Sequence, residues 1–297
     1  MISLSLIIPT HNRASELIFA LESVALQTLA PEKWECVVVN NRSTDATDLR
    51  FEEFRKAHPD LNLRLLHEDE AGVSYARNCG IRNCRSEFLV FIDDDEHVSP
   101  DFLEAYLEFF IEHPEARVAG GRIIAEYPEG RPAWMSRYTE MPIANPMHFG
   151  DSVTLFPAGR VPGGGNMAFR RAIFAGITPF DASLGRVGRE LIGGEENDLF
   201  ERLLLSGERI WYVPRAVMWH VIMPRKLTRE YFEKLARNVG ISQRLRARIR
   251  HRETKSRLME IMKWGATLLL CLTMSPRKSL WLIRLRKGIS RGLFLGR

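Results

Sequence analysis

The chain predicts an α/β fold, a mainly parallel sheet covered on both faces by helices and followed by a helical, basic C-terminal tail. Three observations carry that expectation. Short apolar runs of strand length alternate with amphipathic stretches through the first hundred residues. Polar and acidic residues gather where each apolar run ends. Finally, residues 244–297 hold 15 Lys or Arg against two acids, Glu253 and Glu260.

The strand candidates are Leu4 to Pro9, Cys36 to Asn40, Leu61 to Leu66 and Glu87 to Ile92, rich in β-branched or aromatic residues. Between them, Ser15 to Gln27 places Leu17, Leu21 and Val24 at helical spacing. Asp48 to Ala57 and Val73 to Asn83 read as two further helices. Strand-helix alternation of this kind favours parallel pairing, because the crossover helices cover the sheet faces. A helix from Pro100 to Glu112 and a strand from Arg117 to Ala125 come next, then a Pro-rich and aromatic stretch, Glu126 to Pro162, that reads as irregular. IWYVP and VMWHV read as two strand-like runs. Tyr231 opens a helix, with Phe232, Leu235 and Val239 on one side, that runs into an arginine-rich stretch.

With 297 residues and 45% hydrophobic content, the chain can bury one large core plus an appendage, which excludes a disordered protein. Cys36, Cys79, Cys84 and Cys271 fit neither a disulfide framework nor a zinc site, so a reduced compartment is expected. The opening MISLSLIIPTHNR lacks the marks of a secretory signal, from which a cytoplasmic amino terminus is expected. Against the chain's net charge of +5, residues 244–297 carry +13 and the remainder −8. An acidic body with a basic tail points the tail at an anionic partner. The uncharged run from Trp264 to Pro276 is too short for the ~20 residues of a bilayer span and reads as an interfacial helix.

In an open parallel sheet, the carboxyl ends of the strands form the ligand crevice. Thr10, His11 and Asn12, then Asn40 and Asn41, Glu68 and Asp69, and Asp93, Asp94 and Asp95 follow the first four strands in turn. An isolated Asp triplet reads equally well as a solvated turn before a helix. Three adjacent carboxylates repel one another, however, unless a cation lies among them, and their hard oxygens suit Mg²⁺ or Mn²⁺.

At these residues the sequence resembles glycosyltransferase family 2, the inverting enzymes of GT-A type. The resemblance runs in order through LIIPTHNR, VVVNNRSTD, EAGVSYARNCGI, FIDDDE, GGGNMAFRR and GEENDLFERLLLSG, over roughly residues 2 to 222. It implies a GT-A-type, Rossmann-like mixed sheet flanked by helices. The catalytic domain is expected over 1–225 and a membrane-associating helical region over 226–297. By the same resemblance, Pro9, Thr10 and Asn40 flank the nucleotide base, with Asn12 beside them. Asp45 and Arg77 lie near the nucleotide or its phosphates. Asp93 approaches the donor ribose and sugar with Asp94 next to it, and Asp95 is the direct ligand of a divalent cation, Mg²⁺ or Mn²⁺. His220, an imidazole competent as a ligand, joins Asp93 and Asp95 as a candidate metal residue. The resemblance also places Asn166 near the bound sugar.

One departure concerns the base. The family usually carries Asp where this chain has Asn40, and an amide carbonyl accepts a proton without the charge that strengthens the bond. A UDP-linked donor is expected, with guanosine and thymidine nucleotides open. On the acceptor side, Glu195 and Glu196 open a helix where acids also favour the helix dipole. The family's general base falls at Glu196, with Asp198 as the second candidate.

The implied activity is transfer of a sugar from a nucleotide-diphosphate sugar to a hydroxyl of a saccharide or lipid-linked saccharide, in cell-envelope polysaccharide or glycolipid assembly. The work would be done at the cytoplasmic face of an anionic membrane. A sugar nucleotidyltransferase needs a Gly-rich, basic loop after the first strand, and IIPTHNR has no glycine. A nucleic-acid-binding protein would account for the arginines but not for the Trp-flanked apolar run behind them.

Overall fold

The computed structural model describes residues 2–187 and 191–295. The chain folds into two compact units. The first comprises 1–124, 147–182 and 195–220; the second comprises 125–146, 183–194 and 221–297.

The first unit begins with the predicted alternation: β1 (Leu4–Thr10), α1 (Ala14–Ala25), β2 (Trp34–Asn40), α2 (Thr47–Ala57), β3 (Leu63–His67), α3 (Val73–Asn83) and β4 (Phe88–Phe91). β5 (Glu96–Val98), α4 (Phe102–Glu112) and β6 (Val118–Glu126) follow. Every residue of β1 and β2 is buried, as expected of strands covered on both faces. β3, β2, β1 and β4 pair in parallel. On the far side of β4 the pairing turns antiparallel, with β8 (Met167–Arg170) inserted between β4 and β6. The sheet is therefore mixed, in the order β3-β2-β1-β4-β8-β6, then β9 (Ile210–Val221) and β5. One apolar cluster, containing Leu6, Ile8, Phe102 and Tyr106, includes residues of α1 and α4. The other, containing Ile7, Phe91, Phe169 and Phe200, includes residues of α3 and of α6 (Glu195–Leu205).

Two expectations are corrected. IWYVP and VMWHV form a single strand, β9. Pro214, which lacks a backbone N–H, lies between the residues that pair with β7 (Thr154–Leu155) and those that pair with β5, so the strand continues through it. The stretch Glu126 to Pro162 is not irregular throughout. It holds β7 and also α5 (Arg137–Ala144), which opens with a reciprocal cap between Ser136 and Thr139.

The second unit is helical. α5 is joined by α7 (Arg229–Ile249), α8 (Glu253–Cys271) and α9 (Pro276–Leu295) around Met135, Ile143, Phe232, Leu235, Leu282 and Ile289. Trp134 and Trp281 stack with ring centroids 3.8 Å apart. α7 and α9 approach backbone to backbone: a Cβ on Gly240 would lie 2.0 Å from the Ile289 carbonyl oxygen, and one on Gly292 2.0 Å from that of Arg237. Only glycine fits at these two contacts. Among the described residues, no helix is long and apolar enough to cross a membrane.

Candidate active site

The carboxyl ends of β1, β2 and β4 bring the polar clusters together. Asn12, in the left-handed region at φ 54°, accepts with Oδ1 from the backbone N–H of Thr44 (2.7 Å) and of Asp45 (3.3 Å). Asp45 in turn accepts from the N–H of Ala14 and of Thr47, satisfying the first turns of α1 and α2 at once. Burial works against its ionisation, yet these bonds and the Thr47 hydroxyl hold its pKa below the usual carboxylate value. Pro9 is buried in β1 opposite Val39. Asn40, also buried, donates to Asp48 Oδ1 (2.5 Å) and accepts from the Ser43 N–H (2.9 Å), so both ends of its amide are used within the protein.

The three aspartates point in different directions. Asp94 turns inward, accepting from the Thr10 hydroxyl and from Arg13 Nη1, each at 2.8 Å. Burial pushes its pKa up to about 6, against the opposing attraction of Arg13. The same Arg13 nitrogen lies 3.1 Å from Asp95 Oδ2. Asp93 instead accepts from Arg77 Nη2 at 2.8 Å.

Arg77 lies on α3 and is only 2% exposed. Its Nη1 donates to Glu195 Oε1 at 2.8 Å, and its guanidinium carbon lies 5.4 Å from the centroid of the Phe180 ring. Burial opposes its charge, but Asp93 and Glu195 outweigh that and raise its pKa above the usual value. The exposed helix arginine that α3 would suggest by itself is thus an internal cation joining the aspartate loop to the first turn of α6.

The first turn of α6 separates its three acids. Glu195 is buried, and its Oε2 has no hydrogen-bond partner. Glu196 is pushed up to about 7 by burial and by the charge of Glu195, with Arg77 pulling the other way. Asp198 is buried and accepts from Arg202 Nε at 2.8 Å; Arg202 also donates to the carbonyls of Thr178 and Pro179. Asp198 therefore orients Arg202, which fastens α6 to the preceding loop.

The triple-glycine loop approaches the aspartates through Glu96. This buried carboxylate accepts from the Asp93 N–H at 2.7 Å. A Cβ on Gly165 would sit 1.8 Å from Glu96 Oε2, so no larger residue fits there. Asn166 is fully buried: it accepts from the Tyr106 hydroxyl at 2.5 Å and donates to the Arg122 and Ala216 carbonyls at 3.0 Å each. His220 pairs across the β5–β9 ladder with Glu96, one residue beyond Asp95. Among the described residues, no group of three or more His, Cys, Asp or Glu is arranged to hold a metal ion.

Sequence reasoning missed Arg13 and Glu96. Both stand inside the motifs quoted above, and their signal was charge: a cation just after β1, and a fourth acid behind the aspartates. Neither shows its direction without the fold.

Solved structures provide one comparison. A mannosyltransferase from Pyrobaculum calidifontis, solved with GDP-Man and Mn²⁺, superposes with a TM-score of 0.65 over 99% of this chain and 88% of its own, at 18% identity. TarS of S. aureus in complex with UDP superposes at 0.57 over 82% and 65%, at 21% identity. At these identities the likeness is one of fold. In sequence, a glucosyl-dolichyl phosphate glucuronosyltransferase of Haloferax volcanii is 25% identical over 204 residues, 67% of this chain and 62% of that protein. The minor teichoic acid biosynthesis protein GgaA of Bacillus subtilis is 31% identical over 118 residues, 39% and 26%. The chain thus spans less than two thirds of the length of these two relatives. The glycosyl transferase family 2 model matches residues 5–178, more than half of the chain. The chain belongs to glycosyl transferase family 2.

Proposed function

We propose that this chain transfers a sugar, with inversion, from a nucleotide-diphosphate sugar to a hydroxyl acceptor in cell-envelope glycan assembly. The observation that carries the reading is the Arg77 bridge. One buried cation holds Asp93, from the aspartate loop, and Glu195, next to Glu196, with both N–O distances at 2.8 Å. The carboxylates that this reading assigns to the donor and acceptor sides share one cation, which supports the closeness that a displacement at a single carbon requires. Residues 1–225 would supply this chemistry and 226–297 the attachment to an anionic membrane surface.

Glu196 is the general base of this reading. Its pKa of about 7 suits a group that must be ionised at the start and take a proton during the step. The acceptor oxygen forms a bond to the anomeric carbon while the bond from that carbon to the nucleoside diphosphate breaks, and the hydroxyl proton passes to Glu196. Asp198, committed to Arg202, is the weaker candidate.

Asp93 and Asp95 offer hard oxygens two residues apart, and His220 pairs across the β-ladder with Glu96, the residue after Asp95. That donor chemistry fits Mg²⁺ or Mn²⁺ completed by a diphosphate, not a cage made by protein alone. When bound, the cation would offset the charge on the departing diphosphate. The use of both ends of Asn40 inside the protein leaves UDP the expected donor on the family resemblance alone. The solved relatives hold UDP in one case and GDP-Man in the other.

The test is a panel of nucleotide sugars, scored for protection against heat and for turnover with and without Mn²⁺. One donor should both protect and release free nucleoside diphosphate. Release of inorganic diphosphate from a nucleoside triphosphate and a sugar 1-phosphate would mean a nucleotidyltransferase, and no protection by any donor would overturn the proposal.

A further inference from the structure

α8 is built inside out. Its buried residues are polar: Glu260, 1% exposed, accepts from Arg286 Nη1 (2.8 Å) and from the Ser290 hydroxyl (2.7 Å) of α9. Thr267 is buried on the same side two turns further on, its hydroxyl donating to the Lys263 carbonyl. Trp264 lies on the same side, its indole N–H donating 2.8 Å to Ser290. The outward face is apolar. Leu258, Ile261, Met262, Leu268, Leu269 and Leu272 are all exposed, Leu269 by 67% and Leu272 by 83%. At 3.6 residues per turn these six fall within one half of the helix circumference, opposite Glu260 and Thr267.

A helix facing water shows the reverse arrangement, since each exposed leucine forgoes the gain of burial. The charges identify the medium. At the same periodicity, Arg257 and Lys255 fall on the two borders of the apolar half. Of the two acids in the tail, Glu260 is turned inward and Glu253 is paired with Arg248. No uncompensated acid borders the apolar half. Apolar side chains flanked by cations whose stems can reach outward form the pattern of a helix lying in the plane of a bilayer interface.

We propose that α8 lies in the plane of an anionic bilayer, with Leu258, Met262 and Leu269 entering the acyl boundary and Arg257 and Lys255 reaching the headgroups. The inference rests on the reading that 226–297 attaches to such a membrane, and it adds which face enters and how deeply. The close contact of α7 with α9 supplies a rigid base, with Glu260 holding α8 to α9.

The experiment uses the full chain and vesicles of phosphatidylglycerol and phosphatidylcholine. Met262→Asp/Leu269→Asp changes two exposed positions outside the core, and its melting temperature in solution serves as the folding control. Vesicle partitioning should weaken at least tenfold. A Leu269→Cys/Cys271→Ser chain labelled with an environment-sensitive fluorophore should be quenched by lipids brominated in the acyl chain. Full partitioning of Met262→Asp/Leu269→Asp, with loss only in Arg257→Glu/Lys255→Glu, would leave the membrane attachment standing and overturn insertion. Absence of vesicle binding by the wild-type chain would overturn both. A wild-type dimer in sedimentation equilibrium that becomes monomeric in Met262→Asp/Leu269→Asp, without vesicle binding, would assign the face to a second copy and overturn the proposal.

Discussion

Arg77 Nη1 and Glu195 Oε1 stand 2.8 Å apart although 118 residues separate them in sequence. Both side chains are almost wholly buried, 3% and 7% exposed. Breaking a buried pair by removing one partner costs about 3–5 kcal/mol, because the other charge is left uncompensated. Arg77→Met strands two carboxylates, so thermal or urea unfolding should show a loss of that order. Arg77→Lys should recover only part of it, since an ammonium does not offer the planar fork that reaches Asp93 and Glu195 together. Wild-type stability in Arg77→Met would mean that the bridge holds nothing in place.

Glu196→Gln preserves size and loses the proton acceptor. Turnover should fall by at least about 10²-fold with donor binding nearly unchanged. In the wild type, kcat/KM should rise with pH through about 7, as Glu196 ionises. Asp198→Asn should instead lower the melting temperature, because it weakens the tie to Arg202. The two kinetic patterns exchanged between these variants would place the base at Asp198.

The same carboxylate links stability to pH. Glu196 is raised from 4.5 to about 7 in the folded chain, so between those values the folded state keeps a proton that the unfolded state has released. Stability from this group is fully present below 4.5 and is lost as pH rises through about 7. Melting curves of wild type and Glu196→Gln should therefore diverge in favour of the variant across that window and run parallel above it. A constant difference from pH 4 to pH 8 would contradict the raised value.

Asp95→Ala should abolish transfer and metal-dependent donor binding while the fold persists, because Arg13 keeps its 2.8 Å contact with Asp94. Calorimetry with the donor nucleotide, with and without Mn²⁺, measures this directly. Undiminished activity in the variant, or in wild type with excess chelator, would remove the metal from the proposal.

Gly165→Ala places a methyl group where Glu96 Oε2 now sits, 1.8 Å from the new carbon. Glu96 must then leave the Asp93 N–H. Donor affinity should drop together with a loss of about 1–3 kcal/mol of stability, the range for overpacking a filled site. Wild-type donor affinity in this variant would show that the glycine loop does not set the aspartate loop.

The sequence by itself determined the strand-helix alternation through β4, the polar clusters at the strand ends and the six ordered motifs. These are local properties: apolar periodicity selects strand or helix, and strand ends in a parallel sheet face one crevice. Tertiary structure decided how each side chain is used. Adjacent residues in FIDDDE look alike as text, yet Asp94 turns to Thr10 and Arg13, Asp93 to Arg77, and Glu96 to the backbone N–H of Asp93. Asn40 and Asn166 read as ligand groups but spend their amides on internal bonds. Pro214 reads as a strand break until the registers of β5 and β7 leave room for it. The directions of Asp94 and Asn166 depend on partners 50 to 84 residues away, and sequence spacing alone carries no such distance. The tail divides in the same way: its apolar and basic content is written in the sequence, but only the contact of α8 with α9 shows that Glu260 faces inward and the leucines face out.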